Sequence, residues 1–229
     1  MFKDIITSSK ELEELIVLPG KNARSKIIDH LDSHCINFIE HSPFWVLATA
    51  NLRGHFDASP RGDQPGFVKV LGPKHLVIPD RRGNNHLDSV QNILDNPGIG
   101  VLFFIPGLGE TLRVNGYAKI IKDEHLLSTM AVNGIQPKLG IGIEVTECYL
   151  QCGKAIIRSG LWNVHTWEKP GELPNPAEIL SAHMKLDDQI PDMVEKRLQE
   201  GIEKDCINTR KLNMRRGYFG LLLNVDFIS

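Results

Sequence analysis

The residues best suited to hold an anion lie in one short polar segment, which reads Asp80, Arg81, Arg82, Gly83, Asn84 and Asn85. The two arginines offer rigid forks of N–H donors that match phosphate oxygens, and the two asparagines add amide donors. The glycine permits a tight turn, and a helix predicted over 86–95 would direct its free N–H groups at the same loop. An ordinary solvated turn before a helix uses the same residue types, so the segment alone leaves both interpretations open.

A second polar cluster precedes it, in the stretch ASPRGDQPGFVKVL. Ser59, Arg61 and Asp63 alternate with proline and glycine, so an extended backbone would project all three side chains to one face. The alternative is a turn in which Arg61 and Asp63 form a surface ion pair worth about 0–1 kcal/mol. Two such clusters next to apolar strands favour a polar binding site over two unrelated turns.

The common enzyme signatures are missing from the sequence. It contains no Gly-x-Ser-x-Gly motif, no phosphate-binding loop, no His-Glu-x-x-His and no Gly-x-Gly-x-x-Gly after a strand. The nine histidines do not cluster with cysteine at zinc-ligand spacing. A phosphohydrolase built on Asp57, Asp63 and Asp80 around a divalent metal is disfavoured, because these acids lack a spacing that fixes a metal. We therefore predict no metal site and name no catalytic residue.

Composition narrows the classes of protein. The chain has 229 residues, 41% of them hydrophobic, and a formal net charge of −2, which argues against broad affinity for nucleic acid or anionic membranes. No apolar run approaches the roughly 20 residues that span a bilayer, and the N-terminus lacks signal-peptide order, so we expect a cytoplasmic location. Four cysteines are too sparse for a disulfide framework and are expected to be reduced thiols: Cys35, Cys148, Cys152 and Cys206.

Periodicity indicates the elements that would position these residues. Apolar residues at helical spacing predict an amphipathic helix over 24–41, and Asp123 suits the N-cap of a helix over 123–131. Six short β-rich runs cover 44–50, 66–71, 75–79, 98–105, 111–121 and 140–150. Short connections between apolar strands predict a mainly antiparallel barrel, and the missing βαβ alternation argues against a parallel nucleotide-binding sheet. Within 111–121, Asn115-Gly116 indicates either a two-residue hairpin or a bulge in one long strand.

The composition changes after about residue 170. A segment with proline and glycine is followed by a polar helical region around 187–204 and by an apolar stretch at 217–228. We therefore divide the chain into residues 1–170, a barrel with an N-terminal helix, and residues 171–229, a C-terminal extension. The extension is expected to pack on the barrel or on a partner subunit.

Four segments of the chain together resemble a known family: SPRGDQPGFVKVL, LVIPDRRGNNHLDSVQNILDNPGIGVLFFIPG, ETLRVNGYAKI and GKAIIRSGLW. They are similar to the pyridoxamine 5′-phosphate oxidase-like, FMN-binding split-barrel flavoproteins, and most of all to an uncharacterised subgroup with a Ser-Pro-Arg-Gly-Asp signature. The resemblance covers residues 24–167. It implies a mainly β, α+β fold with a six-stranded antiparallel split β-barrel and flanking helices. It also implies a homodimer with one FMN in each of two clefts at the subunit interface.

The resemblance further implies which residues would contact FMN. The phosphate would be held by Arg82, Asn84 and Asn85, with Asp80 and Arg81 as flanking contacts. These five residues belong to the polar segment from which the anion site was first predicted.

Other contacts would come from elsewhere in the chain and from the partner subunit. Ser59 and Arg61, on the neighbouring strand, would face the phosphate, ribityl chain or isoalloxazine. Thr111 takes the place of a polar side chain that the family directs toward the flavin. The partner subunit would contribute Lys154, Arg158 and Trp162.

The departures from the family decide which activity is expected. True pyridoxamine-phosphate oxidases carry an Arg-x-Val-Leu-Leu-Lys strand and a C-terminal Arg-x-His-x-Arg region that binds the substrate phosphate. Here Ser-Pro-Arg-Gly-Asp replaces the first and nothing resembles the second, so vitamin B6 oxidation is not expected. The sequence predicts an FMN-binding oxidoreductase for an unknown small molecule, in which the cofactor carries the redox chemistry. The alternative is a dimer that binds flavin or senses a ligand without catalysis.

Overall fold

The fold is taken from a computed structural model, which describes residues 2–16, 20, 25–81, 87–185 and 191–205. The helices are α1 (Ser9–Leu15), α2 (Ser33–His41), α3 (Asp88–Asp95), α4 (Glu124–Ser128), α5 (Lys154–Ser159), α6 (Pro176–His183) and α7 (Pro191–Asp205). The strands are β1 (Phe44–Ala50), β2 (Phe56–Gly62), β3 (Lys69–Gly72), β4 (His75–Pro79), β5 (Gly98–Phe104), β6 (Thr111–Ile121) and β7 (Gly140–Gln151).

The strands form one antiparallel sheet in the order β2-β1-β5-β6-β7-β4-β3. Its edge strands β2 and β3 are consecutive in the chain. In a flat sheet, six spacings of about 4.8 Å would separate these edges by about 29 Å. The chain from Gly62 to Lys69 can reach only about 25 Å when fully extended. The sheet must therefore curl until its two edges approach each other, which gives a split barrel.

The predicted mainly β, antiparallel fold is confirmed, but the sheet has seven strands rather than the six predicted. The additional strand is β2, which carries Ser59 and Arg61 and pairs with β1 along its whole length. Its sequence lacks the apolar alternation of a core strand and includes Pro60, which has no N–H to donate. An edge strand tolerates both features, since one side of its backbone forms no ladder.

The core lies between the inner face of the curled sheet and α2. Alternate side chains of β1, β5 and β6 are buried, and Cys35, Phe38 and Ile39 of α2 cover them. Trp45 is fully buried at the centre of this layer, where it stacks on Phe67 with ring centroids 6.4 Å apart.

The predicted helix over 24–41 is wrong at its start, because α2 begins at Ser33. Asp32 caps the helix by accepting a hydrogen bond from the Cys35 backbone N–H. Upstream of the cap, Ile28 forms an antiparallel bridge with Cys148, so this part of the chain is extended. The apolar spacing before residue 32 thus serves contact with β7 rather than a helix face.

The ambiguity at Asn115-Gly116 is resolved in favour of a bulge in one long strand. β6 runs unbroken from Thr111 to Ile121, and its register with β7 shifts between these two residues. A Cβ atom on Gly116 would lie 2.1 Å from the carbonyl oxygen of Glu144. Glycine is required here by the close approach of the neighbouring strand.

The shorter helices and the C-terminal region follow the predictions in part. Asp123 caps its helix as predicted, although α4 ends at Ser128. α7 corresponds to the helical region predicted around 187–204 and packs against α6. The apolar stretch 217–228 lies outside the described residues, and the proposed division at residue 170 stays a prediction. In the described part of the chain, no helix is long and apolar enough to cross a membrane.

Candidate functional site

The inner face of β2 carries three polar side chains in a row. Asp57, Ser59 and Arg61 alternate with exposed residues, as expected for an extended strand. Arg61 lies directly opposite Trp45 of β1, so its side chain shares the face that leads into the core. The polar row therefore lines the edge of the barrel interior rather than its outer surface.

Arg61 joins three elements of the fold. Its Nη1 donates to Oδ1 of Asp80 at 2.8 Å, directly after β4, and its Nη2 donates to Oγ of Ser89 on α3 at 3.4 Å. The Ser89 hydroxyl in turn donates to Oδ2 of Asp57. The guanidinium thus links the edge strand β2 to the end of β4 and to the first turn of α3.

Arg81 forms a second set of contacts beside the first. Its Nε donates to Oδ2 of Asp63 at 2.6 Å, and its Nη1 donates to the carbonyl oxygen of Met130 at 2.8 Å. The alternative interpretation of an Arg61–Asp63 surface pair is therefore wrong, because Arg61 pairs with Asp80 and Asp63 with Arg81. Both pairs are partly shielded from solvent, with 10–30% of each side chain exposed.

We call these six residues the arginine cluster: Asp57, Arg61, Asp63, Asp80, Arg81 and Ser89. Its three carboxylates outnumber its two guanidinium groups, so the cluster is not a positive site by itself. The Nε atom of Arg61 is buried and has no partner among the described residues, which leaves one N–H donor unused. A further cation would be needed to attract a phosphate dianion.

α3 places its N-terminus next to this cluster. Its N-cap residue is Leu87, whose apolar side chain cannot accept a hydrogen bond from the first turn. Asn92 anchors the helix to β1 by donating to Oγ1 of Thr49 at 3.0 Å. A helix N-terminus beside guanidinium donors suits a phosphate group, and Asp80 and Asp63 would hold those guanidinium groups in place.

Three of the predicted phosphate ligands lie outside the described residues: Arg82, Asn84 and Asn85. Of the described residues nearest to them in sequence, Arg81 belongs to the arginine cluster and Leu87 is the N-cap of α3.

The other predicted residues form a second group on the far side of the sheet. Thr111 is buried, and it faces away from Arg61 because its neighbour Leu112 shares the inner face with Trp45. Three strand spacings, about 14 Å, separate β2 from β6. One chain therefore does not bring Thr111 and Arg61 together.

Helix α5 lies next to Thr111 in this second group. Trp162 donates its indole N–H to the carbonyl of Leu108 at 2.8 Å, which fixes the chain that follows α5 over the β5–β6 loop. Lys154 and Arg158 extend from α5 into solvent. Both cations are available to a ligand or to a second chain.

Sequence reasoning did not assign Ser89 to the site, although a signal was present. Ser89 and Asn92 are three residues apart on the helix face that also carries Ile93, and all three are buried. Polar residues on an otherwise apolar face need hydrogen-bond partners, and these two find them on β2 and β1. Among the described residues, no group of three or more His, Cys, Asp or Glu side chains could hold a metal ion.

Comparison with known proteins identifies the family to which the chain belongs. A family model of pyridoxamine 5′-phosphate oxidase matches residues 31–152, just over half of the chain. The chain therefore belongs to the pyridoxamine 5′-phosphate oxidase family. A search of curated proteins finds no match to it.

Several solved structures are similar to the chain at low identity. HupZ from Group A Streptococcus has 18% identity and a TM-score of 0.42, over 51% of this chain and 90% of that one. A pyridoxamine 5′-phosphate oxidase homologue from Lactobacillus delbrueckii has 17% identity and a TM-score of 0.40, over 53% and 99%. An FMN-binding protein from Syntrophomonas wolfei has 8% identity and a TM-score of 0.39, over 62% and 92%.

Proposed function

We propose that the protein binds FMN and acts as an oxidoreductase on a small molecule. The observation that carries the proposal is the position of Arg61 beside the N-terminus of α3, with Arg81 directly following Asp80, the carboxylate partner of Arg61. Guanidinium groups and the N–H groups at helix N-termini are donors that bind phosphate monoesters in proteins. Membership of the pyridoxamine 5′-phosphate oxidase family supports FMN as the phosphate-bearing ligand.

In this proposal the chain's residues bind and orient the cofactor. Arg61 and Arg81 would donate to the phosphate, while Asp80 and Asp63 keep the two guanidinium groups in fixed orientations. Prior orientation reduces the side-chain entropy lost on binding. The further phosphate contacts would be Ser59, Arg82, Asn84 and Asn85. Bound FMN would supply the redox chemistry, and the chain would set access to the flavin.

The separation of the two residue groups supports a homodimer. Thr111, Lys154, Arg158 and Trp162 would face the flavin bound by the partner subunit, because one chain keeps them away from Arg61. The outer face of the sheet carries exposed aromatic side chains at Phe44, Phe56 and Tyr117. Exposed aromatic residues on a strand surface are typical of protein interfaces. We propose that this face forms the contact between subunits.

The decisive measurement compares FMN with riboflavin, which lacks only the phosphate. The purified protein is expected to be yellow and to release FMN on denaturation, and the stripped protein should bind FMN more tightly than riboflavin. Arg82→Ala should weaken FMN binding at least tenfold, about 1.4 kcal/mol. Arg53→Ala, an exposed arginine in the turn after β1, is the matched control and should leave affinity unchanged. A protein that binds neither flavin would refute the proposal.

Catalysis is tested separately from binding. The bound flavin is reduced with light and a sacrificial donor, and its reoxidation by oxygen and by quinones is followed by absorbance. Reoxidation faster than that of free reduced FMN supports an oxidoreductase. A tightly bound flavin that reacts no faster than free FMN supports the alternative, a flavin-binding or ligand-sensing dimer.

A further inference from the structure

Two buried cysteines from distant parts of the sequence meet in the core. Cys35 lies in the first turn of α2 and Cys148 lies on β7, and their sulfur atoms are 3.4 Å apart. Neither thiol contacts the arginine cluster. Cys152 is exposed, and Cys206 lies outside the described residues.

The backbone holds both cysteines in place. Cys148 exchanges two backbone hydrogen bonds with Ile28, at 2.9 and 2.7 Å. The Cys35 N–H donates to Oδ1 of Asp32 at 2.8 Å, which fixes the start of α2. Because Ile28 binds the backbone of Cys148 and Asp32 binds the backbone of Cys35, the segment from residue 28 to residue 32 keeps the two sulfur atoms close together.

We propose that Cys35 and Cys148 form a site of reversible oxidation, closing as an intrachain disulfide with a small disulfide such as oxidised glutathione as the oxidant. A disulfide bond is about 2.05 Å long, so the sulfur atoms must approach by about 1.4 Å. Side-chain rotation about two Cα–Cβ bonds can supply a movement of this size.

The reaction balances as two thiol–disulfide exchanges. One cysteine thiolate attacks oxidised glutathione, forming a mixed disulfide and releasing one glutathione thiol. The second cysteine thiolate then attacks the protein sulfur of the mixed disulfide and releases the second glutathione. Two S–H bonds are lost and one S–S bond forms in the protein, while the two electrons and two protons leave with the glutathione.

Burial sets the rate of this reaction. Removal from water raises the pKa of both the Cys35 and the Cys148 thiols, so the reactive thiolate is scarce in the closed protein. Oxidation should therefore require local opening of the segment from residue 28 to residue 32, which is hydrogen-bonded to the backbone of both cysteines. Reduction of the closed disulfide should be slow for the same reason.

The test is made on the full chain. The protein is incubated with oxidised glutathione in native buffer and in urea below the unfolding transition, then alkylated under denaturing conditions and mapped by peptide mass spectrometry. We expect a peptide pair linking Cys35 to Cys148, with a mass lower by two hydrogen atoms. Formation should be several-fold faster in urea, and the oxidised protein should melt several degrees higher, since the link closes a long loop.

Matched variants separate this site from the other cysteines. Cys152→Ser should leave the linked peptide and the rise in Tm unchanged, whereas Cys35→Ala should abolish both. If Cys35→Ala does not fold, the peptide map of the natural chain still decides the question. The proposal is overturned if both thiols remain open to alkylation after the urea incubation. It is also overturned if a glutathione mixed disulfide persists, or if the link involves Cys152 or Cys206.

Discussion

Replacement of Arg61 by alanine should reduce the affinity for FMN far more than the affinity for riboflavin. Arg61, on β2, binds both the end of β4 and the first turn of α3 through a single guanidinium group. In the proposed complex it donates to the cofactor phosphate, and riboflavin has no phosphate to accept the bond. The difference between the two ligands therefore isolates the phosphate contact.

The expected magnitude follows from the type of bond. A hydrogen bond to a charged group contributes about 1.5–3 kcal/mol, which corresponds to a loss of about 10- to 150-fold in FMN affinity. Arg61→Lys retains the charge, but the lysine ammonium lacks the planar guanidinium that binds Asp80 and Ser89 together. We therefore expect an intermediate loss of FMN affinity. Riboflavin affinity should change less than twofold in both variants.

The variant must remain folded for this comparison to hold. The Arg61–Asp80 pair is partly exposed, at 21% and 30% of the two side chains, so its loss should cost only about 1 kcal/mol. For a chain of this length, that change lowers Tm by about 2–4 °C. Differential scanning fluorimetry measures this shift before the binding titration.

Two results would refute the reasoning. Equal losses of FMN and riboflavin affinity would mean that Arg61 shapes the flavin pocket without touching the phosphate. Unchanged affinity for both would mean that the ion pair with Asp80 serves only to close the barrel. Isothermal titration calorimetry on flavin-free protein, with Arg53→Ala as the control, distinguishes these cases.

Three further changes test the fold and the proposed dimer. Asp32→Ala should lower the free energy of unfolding by about 1 kcal/mol in urea denaturation at pH 7, because the α2 cap is lost. The hydrogen bond from the Cys35 backbone lowers the pKa of Asp32 in the folded protein. The stabilisation by the Asp32 carboxylate is therefore full above the unfolded pKa near 4 and is lost as the pH falls through the folded pKa. Gly116→Ala should prevent stable folding, because its Cβ would lie 2.1 Å from a backbone oxygen, whereas Gly171→Ala has open space and should be tolerated. Phe56→Lys should produce monomers in light-scattering chromatography, and the equally exposed Leu52→Lys, in a turn, should not.

The secondary structure was predictable wherever the local pattern of apolar residues matches the burial that the fold imposes on them. The apolar runs predicted as strands correspond to β1, β4, β5, β6 and β7. These strands are buried on one or both faces, and their buried positions require the apolar residues from which they were predicted. β2 was not among the six predicted β-rich runs, because an edge strand that carries polar side chains has no apolar face to mark it in the sequence. The segment before Asp32 was predicted as a helix because its spacing suits one, yet its backbone pairs with Cys148 of β7. Such a pairing depends on a residue more than a hundred positions away.

Prediction of the candidate site was limited in the same way, because its contacts also depend on residues that are distant in sequence. The alternation of Ser59, Arg61 and Asp63 correctly indicated a polar strand face, but sequence proximity suggested the wrong ion pair. Curling of the sheet brings the end of β4 against β2, so Asp80 reaches Arg61 and Arg81 reaches Asp63. Partners 18 and 19 positions apart are selected by barrel closure rather than by local spacing. The crossed pairing therefore couples the cluster to closure of the barrel, and a ligand that binds both arginines would stabilise the closed sheet as well.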